Sequence, residues 1–174
     1  MTVKDLVMKA VVSCGVLAFA LVAGGASAKP AAKSAAPDPA LVAAGAKVFE
    51  TNCQVCHQAG GVGVSGAFPR LAGRVPVIAA SPDGRKFLAK LVLNGMSGSV
   101  TVDGQRIMGV MPGFGQFSDA DAAAALTYVS TLDAGKKPPK AFTPADIAAA
   151  RTAKVSPSDM ATERNGLAGR KLIP

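Results

Sequence analysis

One pentapeptide concentrates the chemistry this chain can do: Cys53-Gln54-Val55-Cys56-His57. Two thiols separated by two residues at a helix end can add to the two vinyl groups of one haem. The next residue then sits under the iron and offers an imidazole nitrogen, so C-x-x-C-H is the attachment pattern of haem c. Two other chemistries compete for the same residues. A redox dithiol of the thioredoxin kind uses C-x-x-C, but it follows a strand, and here an amphipathic helix leads in. A zinc site takes four ligands; His57 is the single histidine, and the third cysteine, Cys14, falls in a segment read below as removed. One histidine excludes any site needing two imidazoles, and three scattered cysteines exclude a disulfide scaffold.

The pattern along the chain shows what must position that motif. Asp38-Pro39 reads as an N-cap with proline at the first helical position, and Leu41, Ala44, Gly45, Val48 and Phe49 then share one helical face. Residues 58–74 are glycine-rich and read as a loop. Ser81-Pro82 opens a second helix, with Phe87, Leu88, Leu91 and Val92 on one face and Asn94-Gly95 as its stop. Over residues 99–108, Val100 and Val102 alternate with small polar residues and Asp103-Gly104 makes a tight turn, predicting a short hairpin. Ser118 with Asp121 opens a third helix with Ala122, Ala125, Leu126, Val129 and Leu132 inward. With 5% aromatic residues and no tryptophan, a domain of this size buries little by itself, and something else must fill its centre.

From Leu41 to Leu132 the chain resembles a class I cytochrome c, the small monohaem type with His/Met ligation. The residues that carry the resemblance are Gly45 and Phe49, the Cys53–His57 motif, Phe68-Pro69-Arg70-Leu71-Ala72-Gly73, Gly109-Val110-Met111-Pro112-Gly113-Phe114 and Leu126-Thr127-Tyr128-Val129. The resemblance implies an all-α class I fold over residues 40–135, here with a short hairpin-like insertion and a C-terminal helical extension. It implies one covalent haem c on Cys53 and Cys56. It also implies that the Pro69 carbonyl accepts a hydrogen bond from the second ring nitrogen of His57, which fixes the ring and raises its basicity. Gly45 is expected to let the first and third helices cross closely, with Phe49 and Tyr128 beside the crossing. Arg70 departs from the second proline common at its position, and either reaches a haem propionate or faces solvent.

The second axial ligand follows by elimination. No second histidine exists, and lysine or an amine terminus is an unusual ligand. Met96, Met108 and Met111 lie nearby in sequence. Met111 is favoured, because Pro112 and the glycines at 109 and 113 leave it in a loop free to present sulfur to iron. His57 and Met111 are therefore the expected iron ligands. With both axial positions filled the site suits one-electron transfer, as a carrier or as the haem subunit of a dehydrogenase or oxidase. The competing classes are a haem enzyme or gas-binding protein with an open sixth position, and an anchored assembly subunit.

The two ends carry other signals. Lys4 and Lys9 precede an apolar stretch from Ala10 to Ala23, and Ala26-Ser27-Ala28 has the small-x-small form of a signal-peptidase site. Residues 1–28 are therefore expected to be a cleaved signal peptide and 29–39 an Ala/Pro linker, placing the protein in a periplasm; an uncleaved anchor is the alternative. Residues 134–174 hold eight basic and three acidic side chains, a net +5 out of the whole chain's +8. That charge suits an acidic redox partner or an anionic membrane surface, and without aromatic stacking residues it does not suit nucleic acid. Within the expected extension, 136–174, the pattern Thr/Ser-Pro-x-Asp-apolar-Ala-x-x-Arg occurs at 143–151 and again at 156–164. Two helix openings explain it plainly. A sharper reading makes it a repeated docking element, with Ile147 and Met160 as anchors and Arg151 and Arg164 as charges.

Overall fold

The computed structural model describes residues 36–135 and 137–174. The expected signal peptide and residues 29–35 of the linker lie outside the described residues. The elements in order are α1 (Pro39–Asn52), α2 (Gln54–His57), α3 (Val75–Ala79), α4 (Pro82–Asn94), β1 (Met96–Val102), β2 (Gln105–Met111), α5 (Asp119–Val129), α6 (Pro144–Arg151) and α7 (Pro157–Gly169).

The local signals act where they stand. The Asp38 carboxylate accepts the Ala40 N–H at 2.8 Å, and Ser81 and Ser118 each accept an amide three residues on at 3.0 Å. Each such cap stabilises its helix by about 1 kcal/mol. α1 crosses α5 in close contact. A Cβ on Gly45 would lie 2.0 Å from the Ala124 carbonyl oxygen, so only glycine fits. Phe49, fully buried, packs its ring 5.3 Å from that of Tyr128 beside the crossing.

The protein is helical but not all-α. β1 and β2 pair antiparallel from Met96 opposite Met111 to Val102 opposite Gln105. The hairpin thus extends three residues beyond each end of the expected 99–108 span. Its turn is where the sequence put it: Asp103 and Gly104 have φ of 51° and 77°, the two left-handed residues of a turn that matches strand twist. Two short helices, α2 and α3, escaped the sequence reading, since four or five residues cannot display a helical period. α5 ends at Val129, so the inward set stops short of Leu132, which is only partly buried.

The extension belongs to the core. Phe142, Ile147, Met160, Leu167 and Ile173 join Phe49, Val75, Phe87, Leu88 and Leu126 in one buried apolar cluster. Ile147 and Met160 are both 0% exposed, so neither is an anchor for a partner. Two single helices cannot hold themselves in water. α6 instead packs on α4 and α5, and α7 packs on β1 and α4.

Candidate functional site

α1 and α2 meet at Cys53, which caps the end of one and the start of the other. α2 is a single turn, closed by the His57 N–H donating to the Cys53 carbonyl at 2.9 Å. That turn gives Cys53, Cys56 and His57 their spacing on one helical face. The glycine-rich loop then folds back over the motif, and the Pro69 carbonyl oxygen lies 2.9 Å from His57 Nδ1. A carbonyl only accepts, so Nδ1 carries the hydrogen and Nε2 keeps its lone pair. Burial lowers the pKa of His57 below the usual imidazole value, against a smaller opposing effect of the Pro69 bond. The ring is therefore neutral at pH 7, the state a metal ligand requires.

Burial, with a lesser contribution from Cys56, pushes the Cys53 thiol up to about 11. A redox dithiol needs a low-pKa thiolate, so the thioredoxin-like reading fails here as well as on the helix that leads in. Nor do three His, Cys, Asp or Glu side chains gather around one point among the described residues, as a zinc site would require.

Cys53, Cys56, His57, Pro69 and Met111 all line one cavity of about 330 Å³, within the usual range for a cofactor site. Its walls are apolar, from Ile78 of α3, Phe87, Leu88 and Val92 of α4, Leu126 and Val129 of α5 and Val100 and Ile107 of the hairpin. This is the room that a core of small side chains leaves at its centre. Two thiols, an imidazole with a free Nε2, a thioether and apolar walls fit a haem group.

The three methionines separate. Met108 is 68% exposed and does not line the cavity. Met96 and Met111 both line it, as cross-strand partners. Met96 packs against the main apolar cluster and against the hairpin cluster of Val100, Val102 and Ile107, whereas Met111 is engaged in neither. Met111 is the last residue of β2 rather than part of a loose loop, a correction to the expected setting. The end of α4 holds it in place. Gly95 has φ 72°, and a Cβ there would lie 2.4 Å from the Met111 carbonyl oxygen and 2.6 Å from the Gly113 nitrogen.

Arg70 lines the cavity, but its guanidinium is tied to Asp103 at the hairpin turn, with Nε 2.9 Å from Oδ2. Sequence reasoning did not place Met96, Arg74 or Arg164 of α7 on the cavity wall. Arg164 had a detectable signal. It lies between Met160 and Leu167 at helical spacing, so a buried Met160 and Leu167 carry it inward.

This helical fold around a cavity, with a C-x-x-C-H turn and a proline-oriented histidine, defines a haem-bearing electron-transfer class. The family model described as Cytochrome c matches residues 42–133. The chain is also 40% identical over 126 residues to cytochrome c-552 of Thermus thermophilus, covering 71% of this chain and 95% of that relative. A second cytochrome c-552 from a strain of the same species matches at the same identity and length, over 84% of its own chain. The chain belongs to the cytochrome c family and carries covalent haem c, with haem-based electron transfer as its general function.

Proposed function

We propose that the protein is an exported, periplasmic one-electron carrier, or the haem subunit of a dehydrogenase or oxidase. In this reading Cys53 and Cys56 would hold the haem through thioethers, and His57 and Met111 would ligate its iron. One observation carries it: these four side chains line a single apolar cavity, with His57 held by the Pro69 carbonyl. Bound haem supplies a ferric/ferrous couple. The Pro69 bond keeps Nε2 of His57 fixed as a donor. Met111 offers a soft thioether, which favours the ferrous state and raises the potential. With His57 and Met111 both holding the group, no position would be left for a substrate, which suits one-electron transfer.

The cavity rim suits brief encounters with another redox protein. Val55 and Val110 line the cavity and are 77% and 73% exposed, an apolar edge where two proteins can approach closely. Lys137, Lys140, Lys154, Arg170 and Lys171 are exposed on the C-terminal segment and would steer an acidic partner or a membrane face.

Haem should remain on the wild-type polypeptide in a denaturing gel, and in the periplasmic fraction of the cell. Cys53→Ala and Cys56→Ala should each lower its yield sharply. Met111→Ala should remove the sulfur-to-iron charge-transfer band, admit carbon monoxide and lower the potential, while Met108→Ala and Met96→Leu leave the band. Extraction of haem into acidified solvent from wild-type protein would overturn the attachment. Loss of the band in Met96→Leu but not in Met111→Ala would overturn the ligand.

A further inference from the structure

Arg74 and Arg164 are the two buried cations of the cavity wall, 9% and 6% exposed. They come from opposite parts of the chain, Arg74 from the start of α3 and Arg164 from α7. Among the described residues, their hydrogen-bond partners are backbone oxygens and one amide side chain. Arg74 donates to a main-chain oxygen of Pro174, the last residue of the sequence, at 2.7 Å. Arg164 donates to the Thr101 carbonyl at 2.6 Å, to the same Pro174 oxygen at 3.2 Å and to the Asn165 side chain at 3.3 Å. Each guanidinium has five N–H donors, so one bond leaves Arg74 most of its capacity and three bonds leave Arg164 part of its own. Asp103, the carboxylate whose charge Arg74 feels, is committed to Arg70 by two bonds, at 2.9 and 3.1 Å.

Burying a charge is strongly unfavourable unless it is fully paired. Here two like charges are buried together and share at most one carboxylate, at Pro174. Burial, and then the repulsion of Arg164, push the Arg74 pKa down to about 10. An arrangement so unfavourable alone is explained by what enters the cavity. A haem carries two propionate groups, and an arginine fork matches a carboxylate in both charge and geometry. Two buried guanidiniums, under-compensated by the one Pro174 group they share, in an otherwise apolar wall match two carboxylates on an otherwise apolar ligand.

We propose that Arg74 and Arg164 bind the haem propionates, so that the C-terminal segment completes the haem site instead of serving only as a covering strap. This rests on the haem reading above, and it adds to the site a charge from outside the family-matched residues 42–133. Arg164 is the positioning link: its bond to Thr101 also ties α7 to β1, so α7, the hairpin and the propionates become one unit.

The test uses full-length, haem-loaded protein and four variants: Arg164→Gln, Arg164→Lys, Arg74→Gln and Arg74→Lys. A cation near the iron disfavours the ferric charge, so its loss lowers the potential. Both Gln variants should keep covalent haem and the sulfur-to-iron band, shift to a lower potential and move the propionate bending mode in the resonance Raman spectrum. The Lys variants should recover most of the potential but not the bidentate geometry. A merely structural role predicts otherwise. If the arginines serve only Pro174 and Thr101, all four variants lower the melting temperature while potential and propionate mode stay at wild-type values; that result overturns the proposal. Should Arg164→Gln fail to fold, Arg74→Gln and the Lys pair still decide. Wild-type protein without covalent haem would instead overturn the haem reading itself.

Discussion

α6 and α7 open with the same pattern and end in different places. Thr143 and Ser156 both cap their helices by accepting the amide three residues on, at 3.2 Å in each case, with proline at the first position. Ile147 and Met160, at matching positions, are both fully buried. The arginines that follow four residues later diverge. Arg151 reaches Asp119 at 2.6 Å at the surface and donates to the Gly115 and Phe117 carbonyls. Arg164 is buried at the cavity. The repeat therefore specifies how a helix starts and which face turns inward, not what that face meets. The difference comes from the neighbours: α6 lies on α4 and α5, where Asp119 is within reach of Arg151, and α7 lies on β1 and α4, where Arg164 meets the Thr101 carbonyl of β1.

The largest expected effect comes from ending the chain after Val155, which removes α7 with Met160, Leu167 and Ile173. Stability should fall by more than any single core substitution, and the haem spectrum and potential should change. Retention of both would break the distinction drawn between the helices and restore a tail that acts only on partners. Thermal melts and a potentiometric titration on one protein suffice.

Ile147→Ala and Met160→Ala should each cost about 2–5 kcal/mol, since both side chains are fully buried in the same cluster. Denaturant titration checks this. Similar losses with a changed potential in Met160→Ala alone would sharpen the contrast; a cost below about 1 kcal/mol at either site would contradict the packing.

Lys90→Met should cost about 1 kcal/mol. Lys90 Nζ lies 2.5 Å from Glu163 Oε2, a half-buried pair that joins α4 to α7. Double-mutant cycles with Glu163→Gln measure the coupling, and additive losses would remove this link from α7's anchorage.

The smallest effect belongs to Arg151→Ala, at about 0.2–1 kcal/mol, because its ion pair with Asp119 is a third exposed and screened. Potential and haem spectrum should be unchanged. A potential shift comparable to that of Arg164→Gln would erase the distinction between the two arginines.

Much of this protein could be read from local chemistry. The caps at Asp38, Ser81 and Ser118, the turn at Asp103-Gly104 and the Gly45 crossing are fixed by groups within a few residues, or by one missing Cβ. So is the C-x-x-C-H turn, whose spacing is a property of a single helical turn. The Pro69 contact to His57, twelve residues apart, was legible only through family resemblance. Short α2 and α3 were hidden because their length is below a helical period, and the hairpin's full extent because Met96, Met108 and Met111 do not alternate cleanly with polar residues.

By itself the sequence determined the cofactor chemistry, the main helices and the way α6 and α7 begin, because each depends on residue type at short spacing. Tertiary structure alone decided that Met108 faces solvent while Met111 lines the cavity, and that Ile147 and Met160 are core. It also brought Arg164 beside Arg74, ninety residues away in sequence. Burial and charge balance are sums over everything that surrounds a group, and neighbours distant in sequence enter that sum only when the chain has closed on itself.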